Sequence, residues 1–263
     1  MNRTKKFIFL IAVMLPAFVL TSCDDDDFPD EPPTASVEGR VFTQNEFGQP
    51  LWNERSGVTV YLETAFRNFT VQANNTGVYR LTNAPGGTYL MRFSKPGFGT
   101  ILRTGIPIRT GNPQFEVIEG FQQMNTVTLT KLPTTAFNNV QALLTGDPEE
   151  EDDPFVLTVS ATMSPPPPPT GQAKGFRVFV GTNSNVSRSS YVFQKHFTTL
   201  NENFTVEIED ELFDLIPSTP GSLLWVAVYG DANFDESYED ETDQVIFPNL
   251  TAEPGQRVSV VIP

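Results

Sequence analysis

The stretch that decides the fold is Asn74-Asn75-Thr76-Gly77-Val78-Tyr79-Arg80-Leu81-Thr82-Asn83-Ala84-Pro85-Gly86-Gly87-Thr88-Tyr89-Leu90-Met91-Arg92-Phe93. It contains two short runs, 78–81 and 88–93, and a glycine-containing turn precedes each of them. Tyr79 and Leu81 share one face of the first run, because side chains alternate along a strand. Alternating runs bounded by Gly, Pro and Asn are typical of β-strands. The stretch therefore predicts two neighbouring strands of a small antiparallel β-domain.

The same pattern continues outward in both directions. Further strands are predicted over 37–42, 57–62, 69–72 and 126–129. Turns rich in Gly, Pro and Asn separate these runs, where glycine tolerates positive φ at little steric cost. The sequence thus predicts a first β-sandwich domain over residues 35–132.

A family resemblance covers a little over a third of the chain. It is carried by Gly39-x-Val41, Gly48-x-Pro50-Leu51, Gly57-Val58-x-Val60, Thr76-Gly77-x-Tyr79-x-Leu81, Pro85-x-Gly87-x-Tyr89 and Lys95-x-Gly97-Phe98. This succession resembles the carboxypeptidase regulatory-like domain, whose fold is a seven-stranded transthyretin-like sandwich. The resemblance implies a non-catalytic domain with a core that includes Val41, Val58, Val60, Leu81 and Tyr89.

An acidic run bounded by prolines, 147–154, marks a domain boundary. We interpret residues 133–154 as an acidic linker or long loop. The β pattern then resumes, and its turn spacing favours an Ig-like or fibronectin-like sandwich over residues 155–263. Strands are predicted over 155–161, 175–181, 190–199, 204–208, 223–229 and 258–262. The predicted fold is all-β, with two antiparallel β-sandwich domains.

The N-terminus has the parts of an export signal. Basic residues open it, an apolar run follows over 7–20, and Leu20-Thr21-Ser22-Cys23 resembles the lipobox of bacterial lipoproteins. The resemblance implies that residues 1–22 are a cleaved signal peptide and that Cys23 is lipidated. The alternative is an ordinary secretory signal with an unpaired thiol.

Residues 23–34 form a predicted acidic tether. Its run Asp24–Asp27 resembles the surface-export signal of lipoproteins of the Bacteroidota, and the alternative is a solvated spacer. We therefore predict a lipid-anchored protein of the outer membrane, exposed at the cell surface.

Charge limits the partners. The 263 residues carry a formal charge of −15. Residues 1–22 hold three of the 17 basic residues and none of the 32 acidic ones, so their removal leaves −18. Such a chain is a poor ligand for a polyanion, which argues against nucleic acid. The predicted partners are a membrane, through the N-terminal lipid, and a protein or glycan at the cell surface.

One acidic segment, 230–243, resembles the start of a calcium loop because Asp231, Asn233 and Asp235 place hard oxygens at alternate positions. It departs from an EF-hand at Glu236, where glycine is expected, and at Thr242, where a bidentate glutamate is expected. The alternative is a solvated acidic hairpin. One of Glu239, Asp240, Glu241 or Asp243 would supply the additional calcium ligand. The candidate calcium ligands are Asp231, Asn233, Asp235, Asp240 and Asp243.

The residues give little sign of catalysis. The chain has one histidine, His196, within a strand-like run and without an evident nucleophile, and it lacks the histidines of a zinc carboxypeptidase. We predict no enzymatic activity, although a pair of carboxylates could still meet in space. Trp52 follows Pro50 in a loop and is a tentative ligand-binding residue, since an exposed indole can stack on a sugar. The leading function is a structural or protein-interaction module, and the alternative is a glycan-binding lipoprotein.

Overall fold

The computed structural model describes residues 33–110, 117–118, 121–146, 155–209, 212, 215–216 and 219–263. The predicted signal peptide, the predicted lipidation site Cys23 and almost all of the predicted tether lie outside the described residues. So does the acidic run 147–154. No helix in the described part of the chain is long and apolar enough to cross a membrane.

The first half of the chain folds into two sheets. Its strands are β1 (Thr34–Gln44), β2 (Thr59–Leu62), β3 (Phe69–Gln72), β4 (Val78–Pro85), β5 (Gly87–Ser94), β6 (Ile101–Ile108), β7 (Val117–Ile118), β8 (Phe121–Gln123) and β9 (Val127–Thr130). One sheet has the order β4-β1-β8-β7, with β9 also paired to β1. The other has the order β3-β2-β5-β6. A short 3-10 helix, Trp52–Glu54, lies between β1 and β2.

The turn before β4 follows directly from its sequence. The side-chain oxygen of Asn74 accepts hydrogen bonds from the backbone N–H groups of Thr76 (2.9 Å) and Val78 (3.0 Å). Gly77 has φ of +82°, and a Cβ at that position would lie 2.3 Å from the carbonyl oxygen of Val41. Only glycine satisfies both the positive φ and the close approach of β1.

Alternating side chains of the two sheets form the first core. Val41, Val58, Val60 and Leu81 are buried in it, as predicted. Tyr89 is only half-buried and packs against the edge of the core, so the prediction that it is a core residue is only partly correct. Its hydroxyl group donates a hydrogen bond to the carbonyl oxygen of Gly86 (3.2 Å), which keeps the ring near the sheet end.

Two features of this sandwich were not predicted. Strand β1 pairs in parallel with β8 and with β9, in addition to its antiparallel pairing with β4. Strand β6 was missed because Gly105 and Pro107 interrupt its pattern. An edge strand tolerates both residues, and β6 lies at the edge of its sheet.

The second half contains two further sheets and a hairpin. Its strands are β10 (Ala136–Thr145), β11 (Val156–Ser164), β12 (Lys174–Gly181), β13 (Phe193–Thr199), β14 (Asn203–Ile208), β15 (Leu223–Asp231), β16 (Tyr238–Glu239), β17 (Val245–Ile246) and β18 (Val258–Val261). The sheet orders are β10-β11-β14 and β13-β12-β15-β18, and their facing side chains form a second core. The all-β class and the two sandwich arrangements are confirmed.

The predicted linker 133–154 is wrong over Ala136–Thr145, because these residues form β10 and pair with β11. The register of that pair shifts between Asn138 and Gln141, and Asn139 has φ of +51°. This bulge breaks the two-residue alternation that marks a strand in sequence. The described chain from residue 33 onward belongs to one compact unit.

Strand β12 is buried on both faces. Phe176, Val178 and Val180 face the second core, while Phe179 faces a third apolar cluster on the outer side of the sheet. Residues from the segment after β15, including Phe247 and Leu250, complete that cluster. The chain that follows the acidic segment, around residues 245–250, therefore covers the outer face of the second sandwich.

Candidate functional site

We call residues 232–250 the strap, because they leave the end of β15 and return to it. The return is closed by two hydrogen bonds. The N–H of Thr251 donates to the carbonyl oxygen of Gly230 (2.9 Å), and the N–H of Gly230 donates to the hydroxyl oxygen of Thr251 (3.1 Å). A Cβ on Gly230 would lie 2.8 Å from the Thr251 side chain, so this closure needs glycine.

A fully buried arginine, Arg177 on β12, holds the start of the strap. Its Nε donates a hydrogen bond to Asp231 Oδ2 at 2.9 Å, and both side chains are almost completely buried. Its two terminal nitrogens donate to Gln194 Oε1 and Asp235 Oδ1. The guanidinium carbon lies 4.5 Å from the centre of the Phe247 ring. Arg177 thus contacts both ends of the strap.

The pairing of Arg177 with Asp231 is a balance of opposed effects. Burial raises the pKa of Asp231, because a carboxylate loses its hydration there. The charge and hydrogen bond of Arg177 act in the opposite direction. A buried charge without its partner is strongly unfavourable, so removal of either residue should destabilise the fold.

His196 also contacts the strap. It lies opposite Arg177 in the register of β12 and β13, and it is half-buried. Its Nε2 lies 2.9 Å from the carbonyl oxygen of Ala232. Since a carbonyl oxygen only accepts, Nε2 carries the proton in this hydrogen bond. This contact gives the histidine a structural partner in the strap.

The five predicted calcium ligands are not gathered at one point. Asp231 and Asp235 both bind Arg177. Asp240 accepts hydrogen bonds from the N–H of Thr242 (2.8 Å), the hydroxyl group of Thr242 (2.7 Å) and the N–H of Gln244 (3.1 Å), and so caps the turn of the β16–β17 hairpin. Those hydrogen bonds, with the Thr242 hydroxyl first, hold the pKa of Asp240 below its ordinary value.

The other two candidates have different surroundings. Asp243 is exposed in the same turn at φ of +60°. Asn233 donates its backbone N–H to the carbonyl oxygen of Glu46 (2.8 Å), while its buried side-chain oxygen has no hydrogen-bond partner in the described part of the chain. Among the residues that the structure describes, no group of three His, Cys, Asp or Glu side chains is placed to hold a metal ion. Calcium binding stays an untested prediction.

The strap also contacts the first sandwich. Tyr238 donates a hydrogen bond to the carbonyl oxygen of Thr100 (3.1 Å), and Gly99 packs so closely that a Cβ there would lie 2.5 Å from the carbonyl oxygen of Pro248. Near the strap's start, the buried Lys174 lies 3.8 Å from Glu46. Burial raises the pKa of Glu46, against the lowering effect of Lys174. The strap therefore connects the two sandwiches through polar and steric contacts.

Two clefts flank the strap. An apolar one of about 440 Å³ is lined by Phe98, Tyr238, Phe247 and Arg188, among others. A polar one of about 440 Å³ lies on the other side of the hairpin, and its lining includes Glu63, Tyr89, Arg92, Asp240 and Glu241. Sequence reasoning missed both clefts, because they combine residues from the two halves of the chain.

Trp52 lies away from the strap, on the 3-10 helix after β1. Its side chain is 61% exposed, as expected for a ligand-binding aromatic residue. The guanidinium carbon of Arg55 lies 4.0 Å from the Trp52 ring centre and 4.2 Å from that of Phe42. The two rings meet edge to face at 6.3 Å. Arg55 is thus stacked between two aromatic side chains.

Comparisons with known proteins give no family for the chain. No family model and no curated protein matches it. The carboxypeptidase regulatory-like resemblance and the finer names of the two sandwiches therefore stay predictions.

Three solved structures show weak similarity. A proposed carbohydrate-binding protein from Bacteroides uniformis has 14% identity and a TM-score of 0.31, over 87% of this chain and 99% of its own. A DUF3823 family protein from Parabacteroides merdae has 13% identity and a TM-score of 0.29, over 86% of this chain and 100% of its own. The major pilin subunit BcpA of Bacillus cereus has 11% identity and a TM-score of 0.30, over 86% of this chain and 69% of its own. At these TM-scores the similarities carry no argument about function.

Proposed function

We propose that the protein is a non-catalytic, surface-anchored lipoprotein that acts as a structural or protein-interaction module. The observation that carries this proposal is the strap, which contacts both sandwiches and is held by the buried Arg177. Two sandwiches joined in this way present a fixed surface to a partner, which lowers the entropy lost on binding.

The polar groups of the strap region support a non-catalytic role. His196 binds the carbonyl oxygen of Ala232, and Asp231 and Asp235 bind Arg177. A general base must reach a proton of its substrate. These three side chains instead have partners that stabilise the fold.

The proposed location is the outer membrane, with the chain anchored through an acylated Cys23 and exposed at the surface. An acyl chain contributes about 0.8 kcal/mol per buried methylene, so several chains hold a protein on a membrane without spanning it. Cys23→Ser is expected to move the protein from the membrane fraction to the soluble fraction. Protease added to intact cells is expected to digest the wild-type protein. Retention of the Cys23→Ser protein in the membrane fraction would contradict the anchor.

The interaction role is tested by affinity capture from detergent-solubilised membranes of the source cells, with the mature chain as bait. We expect a defined partner that is lost with Gly99→Ala, because that substitution separates the strap from the first sandwich. The matched control is Ala65→Gly, a substitution of the same size on an exposed loop. A partner bound equally by all three forms would contradict a role for the joined sandwiches.

The second candidate is a glycan-binding lipoprotein, and the observation that favours it is the exposed Trp52. A glycan array with the mature protein, run with calcium and again with chelator, tests this function. Reproducible binding to one class of polysaccharide would support it. Loss of that binding with chelator, and in Asp240→Asn, would support the calcium prediction for the strap. No glycan binding by the folded protein under either condition would favour the function as an interaction module.

A further inference from the structure

The turn that carries Trp52 contains an arginine with unusual surroundings. The guanidinium of Arg55 stacks between Trp52 and Phe42, and its buried Nε and Nη2 have no hydrogen-bond partner among the residues that the structure describes. Buried polar groups in proteins are nearly always hydrogen-bonded, so an unpaired pair of nitrogens calls for an explanation. Stacking on the two rings stabilises the charge but does not neutralise it.

Two lysines that contact the neighbours of Arg55 add to this positive charge. Lys95 donates to the backbone carbonyl oxygens of Glu54 and Ser56, so it uses neutral acceptors. Lys131 lies 3.3 Å from the Glu54 carboxylate, and both side chains are well exposed. Of these three cations, Lys131 alone has a carboxylate partner within the described part of the chain, whose full sequence carries a formal charge of −15. A local excess of positive charge on so acidic a protein attracts anions to this place.

The exposed indole indicates which kind of anion fits. A flat aromatic face beside fixed polar groups is the usual composition of a small-ligand site. Trp52 offers that face and Arg55 lies directly against it, while Lys131 reaches into solvent nearby. A sugar ring presents an apolar face for stacking, and an acidic sugar adds a carboxylate or sulfate that accepts hydrogen bonds from cations.

We propose that the turn 50–57, together with Lys95 and Lys131, binds acidic glycans, meaning chains whose sugars carry a carboxylate or a sulfate group. This inference rests on the second proposed function, glycan binding, and names its ligand class and its site. Trp52 stacks on the sugar ring, Lys131 binds the acidic group, and the positive charge of the buried Arg55 guanidinium strengthens the attraction.

The test measures binding of the mature protein to a panel of uronate-bearing and sulfated glycans by titration calorimetry, with polygalacturonate as the first probe. Chemically carboxyl-reduced polygalacturonate is the matched neutral ligand, and polyglutamate is the matched acidic peptide. Trp52→Ala and Lys131→Gln are the site variants. Phe66→Ala, an exposed aromatic residue elsewhere, and Arg188→Gln, an exposed cation elsewhere, are their controls. A thermal melt of each variant shows that it is folded.

We expect an acidic glycan to bind and the reduced form to bind far more weakly. Trp52→Ala should weaken binding about tenfold or more, as for an aromatic anchor. Lys131→Gln should weaken binding about threefold, as expected for the loss of one exposed charge. Added salt should reduce the difference in affinity between the wild type and Lys131→Gln. The two control variants should bind like the wild-type protein.

Other outcomes overturn the inference in distinguishable ways. Equal binding of the reduced glycan, lost in Trp52→Ala, would overturn the acidic class and keep glycan binding. Acidic-glycan binding that survives Trp52→Ala would overturn the site and keep glycan binding. Preference for polyglutamate would replace the glycan with an acidic peptide. No binding to any glycan by the folded protein would overturn both the inference and the second proposed function.

Discussion

Two of the arginines that stack on aromatic rings, Arg177 and Arg55, have opposite surroundings. Arg177 lies over Phe247 with all three guanidinium nitrogens donating to side-chain oxygens of Asp231, Gln194 and Asp235. Arg55 lies between Phe42 and Trp52 with two nitrogens unpaired. The first is buried by the strap and serves the fold. The second lies beside an indole that is 61% exposed, and the described part of the chain supplies no acceptor for two of its buried nitrogens.

The difference teaches how to separate a structural from a functional cation. Burial alone does not distinguish them, because buried nitrogens occur at both sites. The distinguishing property is the supply of oxygen acceptors from the protein itself. A cation that the chain has already paired stabilises the chain, and a cation left short of acceptors is a candidate for an anionic ligand.

The largest effect is expected from loss of the paired arginine. Arg177→Gln should lower the free energy of unfolding by about 3–5 kcal/mol, because Asp231 would remain buried without its counter-ion. Urea unfolding followed by fluorescence measures this change. The control is Arg80→Gln, because the Arg80 side chain is 52% exposed and its pair with Glu38 at the surface is expected to contribute about 1 kcal/mol. Equal effects of the two substitutions would contradict the role of Arg177.

The next effect concerns the contact between the strap and the first sandwich. Gly99→Ala should lower the free energy of unfolding by about 1–3 kcal/mol, since its Cβ would overlap the carbonyl oxygen of Pro248. The same urea experiment measures it, and Ala65→Gly serves as the exposed control. A Gly99→Ala protein as stable as the wild type would contradict the close packing of Pro248 in the strap against Gly99.

A smaller effect is expected at the unpaired arginine. Arg55→Gln should lower the free energy of unfolding by about 1 kcal/mol or less, the size of a cation–π contact near the surface. Differential scanning calorimetry of the variant beside Arg177→Gln gives the comparison. A loss of stability as large as that of Arg177→Gln would make Arg55 a structural residue and remove the reason to assign it a ligand.

The smallest effect lies at the hairpin turn and depends on pH. The folded pKa of Asp240 is lowered by its hydrogen bonds from Thr242 and Gln244, so its contribution is present above the unfolded value of 3.8 and is lost as pH falls through the folded pKa. Asp240→Asn should therefore melt slightly below the wild type at pH 7, and the two melting temperatures should converge in strong acid. A difference in melting temperature that grows as the pH falls would contradict this prediction.

Much of the fold could be predicted from the sequence because its strands alternate regularly. Runs such as 78–81 and 88–93 appear as strands near the expected positions. The exceptions were irregular in a physical sense. Strand β10 carries a bulge at Asn138–Gln141, and β6 carries Gly105 and Pro107 at a sheet edge. Parallel pairing of β1 with β9 joins residues far apart in the chain, which local patterns do not encode.

The candidate site was less predictable for a related reason. The acidic residues at 231–243 suggested a cation, and the partner that the structure gives to Asp231 and Asp235 is the cation of Arg177, more than 50 positions away in the chain. Arg177 itself lies in the run Phe176–Val180, which as a sequence indicates only a strand. Trp52 was predicted from its position in a loop. Arg55 was missed because its stacking on Phe42 depends on how the chain folds back beside β1.

The most direct test of the contrast between the two arginines is hydrogen exchange of the strap amides in the mature protein. The N–H groups of Asn233 and Thr251 donate to Glu46 and Gly230, and these hydrogen bonds anchor the start and the end of the strap. We predict slow exchange at both positions in the wild type and in Arg55→Gln, and fast exchange in Arg177→Gln. Slow exchange in Arg177→Gln, or equally fast exchange in Arg55→Gln, would contradict the account.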